Sequence, residues 1–515
     1  MTQSSQKKHY FGSILNRRFW LIWFLALLII FIVHCLTLTI LPIPWRDEAQ
    51  IIEYGRLVLE PTSNWSINWL LTSDQPFFLL SYLGATLQEL AFRATNLSLI
   101  GPRLMSLVGS MISATFLLAW LLESQIPKKI ALLLSIIFLL DPIFVQSYRS
   151  DRVDCWVFVF CFACCWLLRR ARNNISIQNI KKFLPHISLS GSLATIAFFI
   201  WPSAILLYPL IILELIEILR KNKIYRQWNY VFLIIINFAV FGIVTLMILI
   251  LPILNRIDTI FINFKIVSRQ DLLQDNLGWA IRVVSNIKNL LHSFKMSPFI
   301  LLFTGIAIGV YRKEKKIIFI TILVLSFIIS TRVYIFRSIY LLPYMILLIC
   351  SIYINSNSPK LDYYIFRQRT KWLKVSILSI LLAWSVILSM FLRPAIGLSQ
   401  KEARNPNILM DKALELDIGK TKVFIDSWDF YSVGRSLGWQ MYHPIENRYA
   451  MSKLSEEDLK LFLSKFDYAL LNKKSSSFNL YINTIETRGF KYENQSSKIS
   501  GNKFYGPYLL LKFMS

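Results

Sequence analysis

What constrains this chain first is a succession of apolar blocks long enough to cross a lipid bilayer, separated by short basic clusters. The first block, Phe19 to Leu41, runs for 23 residues behind a polar head carrying Lys7, Lys8, Arg17 and Arg18. A cleaved secretory signal has an apolar core of about 7–15 residues and a small-residue cleavage site. This block has neither, so it reads as an uncleaved spanning helix. Ten further spans are expected near 101–122, 130–149, 154–171, 187–201, 203–219, 229–252, 298–311, 317–332, 336–354 and 373–392, some shorter than the ~20 residues a span prefers. The sequence thus predicts an α-helical polytopic membrane protein of about eleven transmembrane helices. Its composition agrees, with 55% apolar and only 17% charged residues against roughly 45–50% and 25% in soluble domains.

A formal charge of +26 is large enough to suggest nucleic acid until the basic residues are placed. If Pro76 to Phe92, which includes Gln88 and Glu89, lies on the membrane surface without spanning, the loops on the N-terminal side of the membrane carry 24 of the 56 Lys and Arg residues. The opposite loops carry 14, nearly balanced by acids, and the chain from Arg393 onward carries 18. If that segment spanned, most inner-loop charge would fall outside, against the positive-inside rule. The predicted orientation is a cytoplasmic N-terminus with residues 394–515 on the outer face. Basic residues divided among short loops orient a membrane protein, and no aromatic-rich basic domain remains for a nucleic-acid strand.

From Arg393 onward charged and apolar residues alternate without a spanning block. Patterning predicts helices at 406–416 and 456–465, and strands at 423–426, 468–471 and 508–513, a small α/β domain. All six cysteines fall in or beside apolar helices, and no disulfide framework is implied. Cys161, Cys164 and Cys165 read as small buried apolar residues, since no histidine stands near to complete a metal set.

Three outer segments carry chemistry. Pro44-Trp45-Arg46-Asp47-Glu48 opens a helical stretch through Leu59, with two carboxylates at its start; a helix N-terminus favours acids for purely electrostatic reasons, so the pair alone proves nothing. The second, Arg149-Ser150-Asp151-Arg152-Val153-Asp154, places two arginines and two carboxylates on adjoining faces. They either neutralise one another or suit an anionic phosphate. Arg332 and Arg337 add cations at a third turn. Within the spans, Asp141 before Pro142 reads as a kink in preference to an intramembrane site, and Glu214 and Glu217 as snorkelling to the surface or pairing with Arg220 and Lys221.

Together with Asp74-Gln75-Pro76-Phe77 and Gly101-Pro102-Arg103-Leu104, these segments resemble the GT-C membrane glycosyltransferases. The nearest group is the protein O-mannosyltransferases and lipid A aminoarabinose transferases, of the glycosyltransferase family 39 and 83 kind. The resemblance spans roughly 19–350. It implies transfer of a sugar from a polyprenyl-phosphate carrier, held among membrane lipids, to a lipid, glycan or protein acceptor at the outer face of a cell inner membrane. It also implies that Asp47 is the general base, Glu48 its usual neighbour and Asp154 the acid of the second outer loop. Gln75 departs from the pattern, standing where many relatives carry a phosphate-binding lysine.

The chemistry is sparing. One positioned carboxylate takes the acceptor proton, and a lipid phosphate leaves as a stable anion, so cations replace the second carboxyl of a glycosidase. Arg103, Arg149, Arg152, Arg332 and Arg337 are the expected phosphate ligands, and a single displacement inverts the anomeric centre. A hard divalent ion on Asp47, Glu48 and Asp154 is the other electrostatic solution. A transporter or flippase of lipid-linked sugars would use the same cationic rim without catalysis, and an assembly protein would rely on the outer tail.

Overall fold

The computed structural model describes residues 17–44, 46–60, 80–175, 179–257, 279–294, 298–312, 314–330, 335–351, 376–416, 418, 420–425, 428–442, 464, 466–474, 478–479, 482–483, 492–494 and 504–513. Each of the eleven apolar blocks contains helix. In chain order the helices are α1 (Arg17–Cys35), α2 (Arg46–Leu59), α3 (Tyr82–Ala94), α4 (Ile100–Glu123), α5 (Lys128–Leu139), α6 (Pro142–Arg149), α7 (Asp154–Asn174) and α8 (Ile180–Ile200). They continue with α9 (Tyr208–Arg220), α10 (Trp228–Ile250), α11 (Trp279–Phe294), α12 (Pro298–Arg312), α13 (Lys315–Ser330), α14 (Leu342–Cys350) and α15 (Ser376–Ser399), then α16 (Asn407–Leu416) and α17 (Tyr431–Ser436). In hydrocarbon each backbone N–H and C=O must find a partner within its own segment, which is why apolar length translates into helix.

Five of these, α1, α4, α8, α10 and α15, are long and apolar enough to cross a membrane, or six if α5 and α6 count as one span bent by 54°. The remaining apolar blocks miss that test for visible reasons. Helix α7 carries Asp154, Arg169, Arg170 and Arg172, and α9 and α12 to α14 are shorter. Helices α4 and α7 are heavily buried, whereas α1 and α10 turn Leu21, Phe24, Phe232 and Met247 outward. Such apolar surfaces are unfavourable in water and match lipid.

The bend has a local cause. Asp141 Oδ1 accepts from the backbone N–H groups of Ile143 and Phe144 at 3.0 and 3.3 Å, so the carboxylate caps α6 just behind Pro142. Glu214 finds a partner other than the expected ones: it accepts from Trp120 Nε1 at 2.9 Å and Arg169 Nη2 at 2.5 Å. Glu217 takes Arg172, Arg220 and Lys316.

Two glycines bring the helices of the site together. A Cβ on Gly55 of α2 would lie 2.1 Å from the carbonyl oxygen of Ala85 on α3, and one on Gly101 of α4 equally close to that of Ala91. Helices α2, α3 and α4 therefore touch backbone to backbone.

After α16 the chain builds a five-stranded sheet of order β2-β1-β3-β5-β4, from β1 (Lys422–Ile425), β2 (Gln440–Tyr442), β3 (Tyr468–Asn472), β4 (Tyr492–Asn494) and β5 (Tyr508–Phe513). β1 runs parallel to β2 and β3, while β5 runs antiparallel to β3 and β4. The expected strands and the first expected helix of this region are present; the helix expected at 456–465 lies outside the described residues. The sheet's apolar core takes in Ala49 and Ile52 of α2 and Phe92 of α3. Helix α2 is thus packed between the helical bundle and the sheet.

Candidate active site

The two carboxylates at the start of α2 are one residue apart and part company, because successive helical residues point about 100° apart. Glu48 is 1% exposed and receives a two-pronged bond from Arg103, Nε to Oε1 and Nη2 to Oε2, each 2.8 Å. Arg103 Nη1 donates to the Leu38 carbonyl at 2.8 Å. Asp47 remains 36% exposed and accepts from Arg152 Nη1 on Oδ2 at 2.7 Å.

Arg152 bridges to the second loop. Its Nε donates to Asp154 Oδ2 at 2.7 Å, and Asp154, 2% exposed, also accepts from Tyr340 Oη at 2.7 Å and Ser147 Oγ at 3.2 Å. The guanidinium lies 4.5 Å from the ring centre of Phe336 and 6.0 Å from that of Trp201. Aromatic faces stabilise a cation where water is scarce, and they hold Arg152 with Nη2 unengaged among the described residues. The order Asp47–Arg152–Asp154 thus joins two loops, with the outermost carboxylate open.

The structure narrows the expected set of phosphate ligands. Arg103 and Arg149 are buried, with their guanidinium groups hydrogen-bonded within the scaffold. Arg149 donates to the carbonyls of His34, Thr37 and Leu41, to Thr37 Oγ1 and, through Nη1, to His34 Nδ1. It ties the end of α1 to α6 through carbonyl acceptors. Arg337 is half-buried on the 3-10 turn Ile335–Leu341, which also supplies Phe336 and Tyr340. Arg332 and the Asp74–Phe77 segment lie outside the described residues.

A divalent ion, the alternative to the arginines, does not fit this arrangement. Its three oxygen donors do not converge: Glu48 is turned to Arg103, while Arg152 occupies the gap between Asp47 and Asp154. Among the described residues no group of three His, Cys, Asp or Glu side chains is placed to hold a metal.

One member of the site is not evident from sequence spacing, and another sits in the expected cluster in an unexpected setting. Tyr340 stands 186 positions from the carboxylate it contacts. Asp151 has a left-handed backbone, φ 57°, and is fully buried with neither carboxylate oxygen hydrogen-bonded among the described residues. Burial, then the charge of Glu48, push its carboxyl well above the usual range despite Arg103, and it packs behind the ion pairs.

No family model matches the sequence, and no curated protein sequence does either. In three dimensions the chain is similar to ArnT from Cupriavidus metallidurans bound to undecaprenyl phosphate, at 9% identity and TM-score 0.58, over 96% of this chain and 98% of that one. The apo form of the same protein gives TM-score 0.55 at 10% identity, over 96% and 97%. The resemblance read from the motifs is borne out as a shared fold along nearly the whole length.

Proposed function

We propose that this chain is an integral-membrane glycosyltransferase that moves a sugar from a polyprenyl-phosphate carrier to a lipid, glycan or protein acceptor at the outer face of the membrane. The observation that carries the reading is the exposure of Asp47 beside buried Asp154 and Glu48, in a chain with the fold of a protein solved with undecaprenyl phosphate. Of the three expected carboxylates, only Asp47 has the access a base needs.

Arg152 holds Asp47 through Oδ2, leaving Oδ1 to accept the acceptor's hydroxyl proton as the oxygen attacks the anomeric carbon. The bond from that carbon to the phosphate oxygen breaks with its electron pair on the phosphate, and the anomeric centre inverts. A general base contributes roughly 10²–10⁴-fold. Arg152 faces the departing phosphate with its unengaged Nη2, fixed by Asp154, Tyr340 and the two aromatic rings. Preorganised positive charge of this kind stabilises charge developing in the transition state.

The topology that accompanies this reading has eleven spans, a cytoplasmic N-terminus and the sheet on the same side as Asp47. Asp47→Asn preserves the size of the side chain and removes its basicity. The variant is expected to insert and fold normally while transfer from the lipid donor falls at least about 10²-fold; undiminished transfer rejects Asp47 as base.

A further inference from the structure

Helix α17 belongs to the sheet region, more than 370 residues along the chain from α2, yet its polar face closes on the two surface helices of the site. Tyr431 and Arg435 lie one helical turn apart and so share that face. Tyr431 Oη donates to Glu53 Oε2 of α2 at 2.7 Å. Arg435 forks onto Glu89 of α3, Nη1 to Oε2 at 2.8 Å and Nη2 to Oε1 at 2.9 Å, and Nη1 also donates to Tyr431 Oη at 3.1 Å. Its guanidinium stands 5.0 Å from the ring centre of Phe92, and Ser432 Oγ donates to the Leu97 carbonyl at 2.6 Å. Glu89 is also held by Arg93 Nε at 2.6 Å, and Arg93 in turn by Glu60 at 2.6 Å. Glu53 and Glu89 are buried, and Glu53 Oε1 has no hydrogen-bond partner among the described residues.

We propose that Tyr431 and Arg435 are positioning residues for Asp47, fixing the roll of α2 about its own axis; this rests on the reading of Asp47 as the base. At about 100° per residue, Glu48 projects about 100° from Asp47 in one sense and Glu53 about 120° in the other. The first is gripped by Arg103 of α4 and the second by Tyr431 of α17. Asp47 faces the gap between the two grips. Side chains reach about 5 Å from a helix axis, so a roll of about 10° moves a carboxylate by about 1 Å. A displacement of that size can cost about 10²-fold in rate.

Adhesion alone does not call for these groups. Ala49, Ile52 and Phe92 already lie in the sheet's apolar core, and a buried ion pair adds little stability beyond apolar packing of the same volume. The two-pronged bond of Arg435 onto Glu89 of α3 fixes α17 with a direction that apolar contact does not give, and Arg435 Nη1 holds the Tyr431 hydroxyl that reaches Glu53 of α2.

The test uses the full chain in proteoliposomes, with an undecaprenyl-phosphate-linked pentose and the corresponding hexose as probe donors, lipid A in the membrane and a serine-rich peptide as probe acceptors, and release of undecaprenyl phosphate as readout. In parallel, nitroxide labels at exposed Leu59 of α2 and Val108 of α4 report the distance between these helices. Arg435→Met is expected to lower kcat at least about tenfold, to leave the donor KM within about twofold, and to broaden or shift the label distances by about 2 Å. Arg435→Lys keeps the charge without the fork and recovers part of both. Tyr431→Phe removes only the hydroxyl and, with folding intact, is expected to lower kcat in the same sense. Unchanged kcat, a change confined to KM, or label distances matching the parent overturns the proposal. If the parent releases carrier from neither donor, the transferase reading fails, and the label distances still decide whether α17 sets the roll of α2.

Discussion

Helix α7 begins and ends in a carboxylate–arginine network, and the two ends are built differently. At its start, Asp154 and Arg152 sit among Tyr340, Phe336 and Trp201, and the chain of charge finishes on half-exposed Asp47. At its end, Arg169 and Arg172 meet Glu214 and Glu217 of α9, with Arg220 and Lys316 completing the set. There the cations outnumber the acids and the most buried acid, Glu214, is the one covered by Trp120. The difference lies in what stays open: a carboxylate at the first end, lysine and arginine side chains at the second. A network that closes on itself locks helices together, whereas one that stops at a solvent-facing carboxylate leaves a group able to react.

The sharpest break in this comparison comes from Arg103. It belongs to the first end but serves only the scaffold, so Arg103→Met is expected to cost about 3–5 kcal/mol by leaving Glu48 charged and buried without its partner. Thermal unfolding in detergent checks this; an unchanged melting temperature would return Arg103 to the reacting groups. An intermediate effect is expected from Glu53. Burial, reinforced by Glu89 and only partly offset by Arg435 and Arg56, raises its carboxyl from 4.5 to about 6. The folded protein therefore keeps a proton that the unfolded chain releases. The stabilising contribution is complete below about pH 4.5 and is lost as pH rises through about 6, a change of about 2 kcal/mol. Glu53→Gln should flatten that portion of the stability profile, and a profile identical to the parent's would contradict the assignment. The smallest effect belongs to the far end of α7, where half-exposed pairs are screened. Glu217→Gln is expected to cost under about 1 kcal/mol and to leave transfer unchanged; a loss of activity would erase the distinction between the two ends.

The helical bundle was readable from the chain because apolar length is a local property, and every apolar block contains helix among the described residues. In the sheet, β1, β3 and β5 show as apolar runs, but β2 and β4 have three residues each and exist through their neighbours. The site divides in the same way. The Arg149–Asp154 cluster and the acidic pair at 47 and 48 stand out as charges at helix mouths. Which acid faces outward does not, because Arg103 decides it from 55 positions away. Arg149 looks like a phosphate ligand until the carbonyls at the end of α1 are seen to surround it. Tyr431 and Arg435 carry no local signal, since the residues they hold lie 378 and 346 positions back.

That separation also has a meaning in time. A chain made from its N-terminus places α2 early, but the helix that grips its far side belongs to a sheet whose inner strand, β5, closes at Phe513. Asp47 is therefore synthesised long before the strand that closes the sheet gripping its helix, and the site has no final form until β5 has been made.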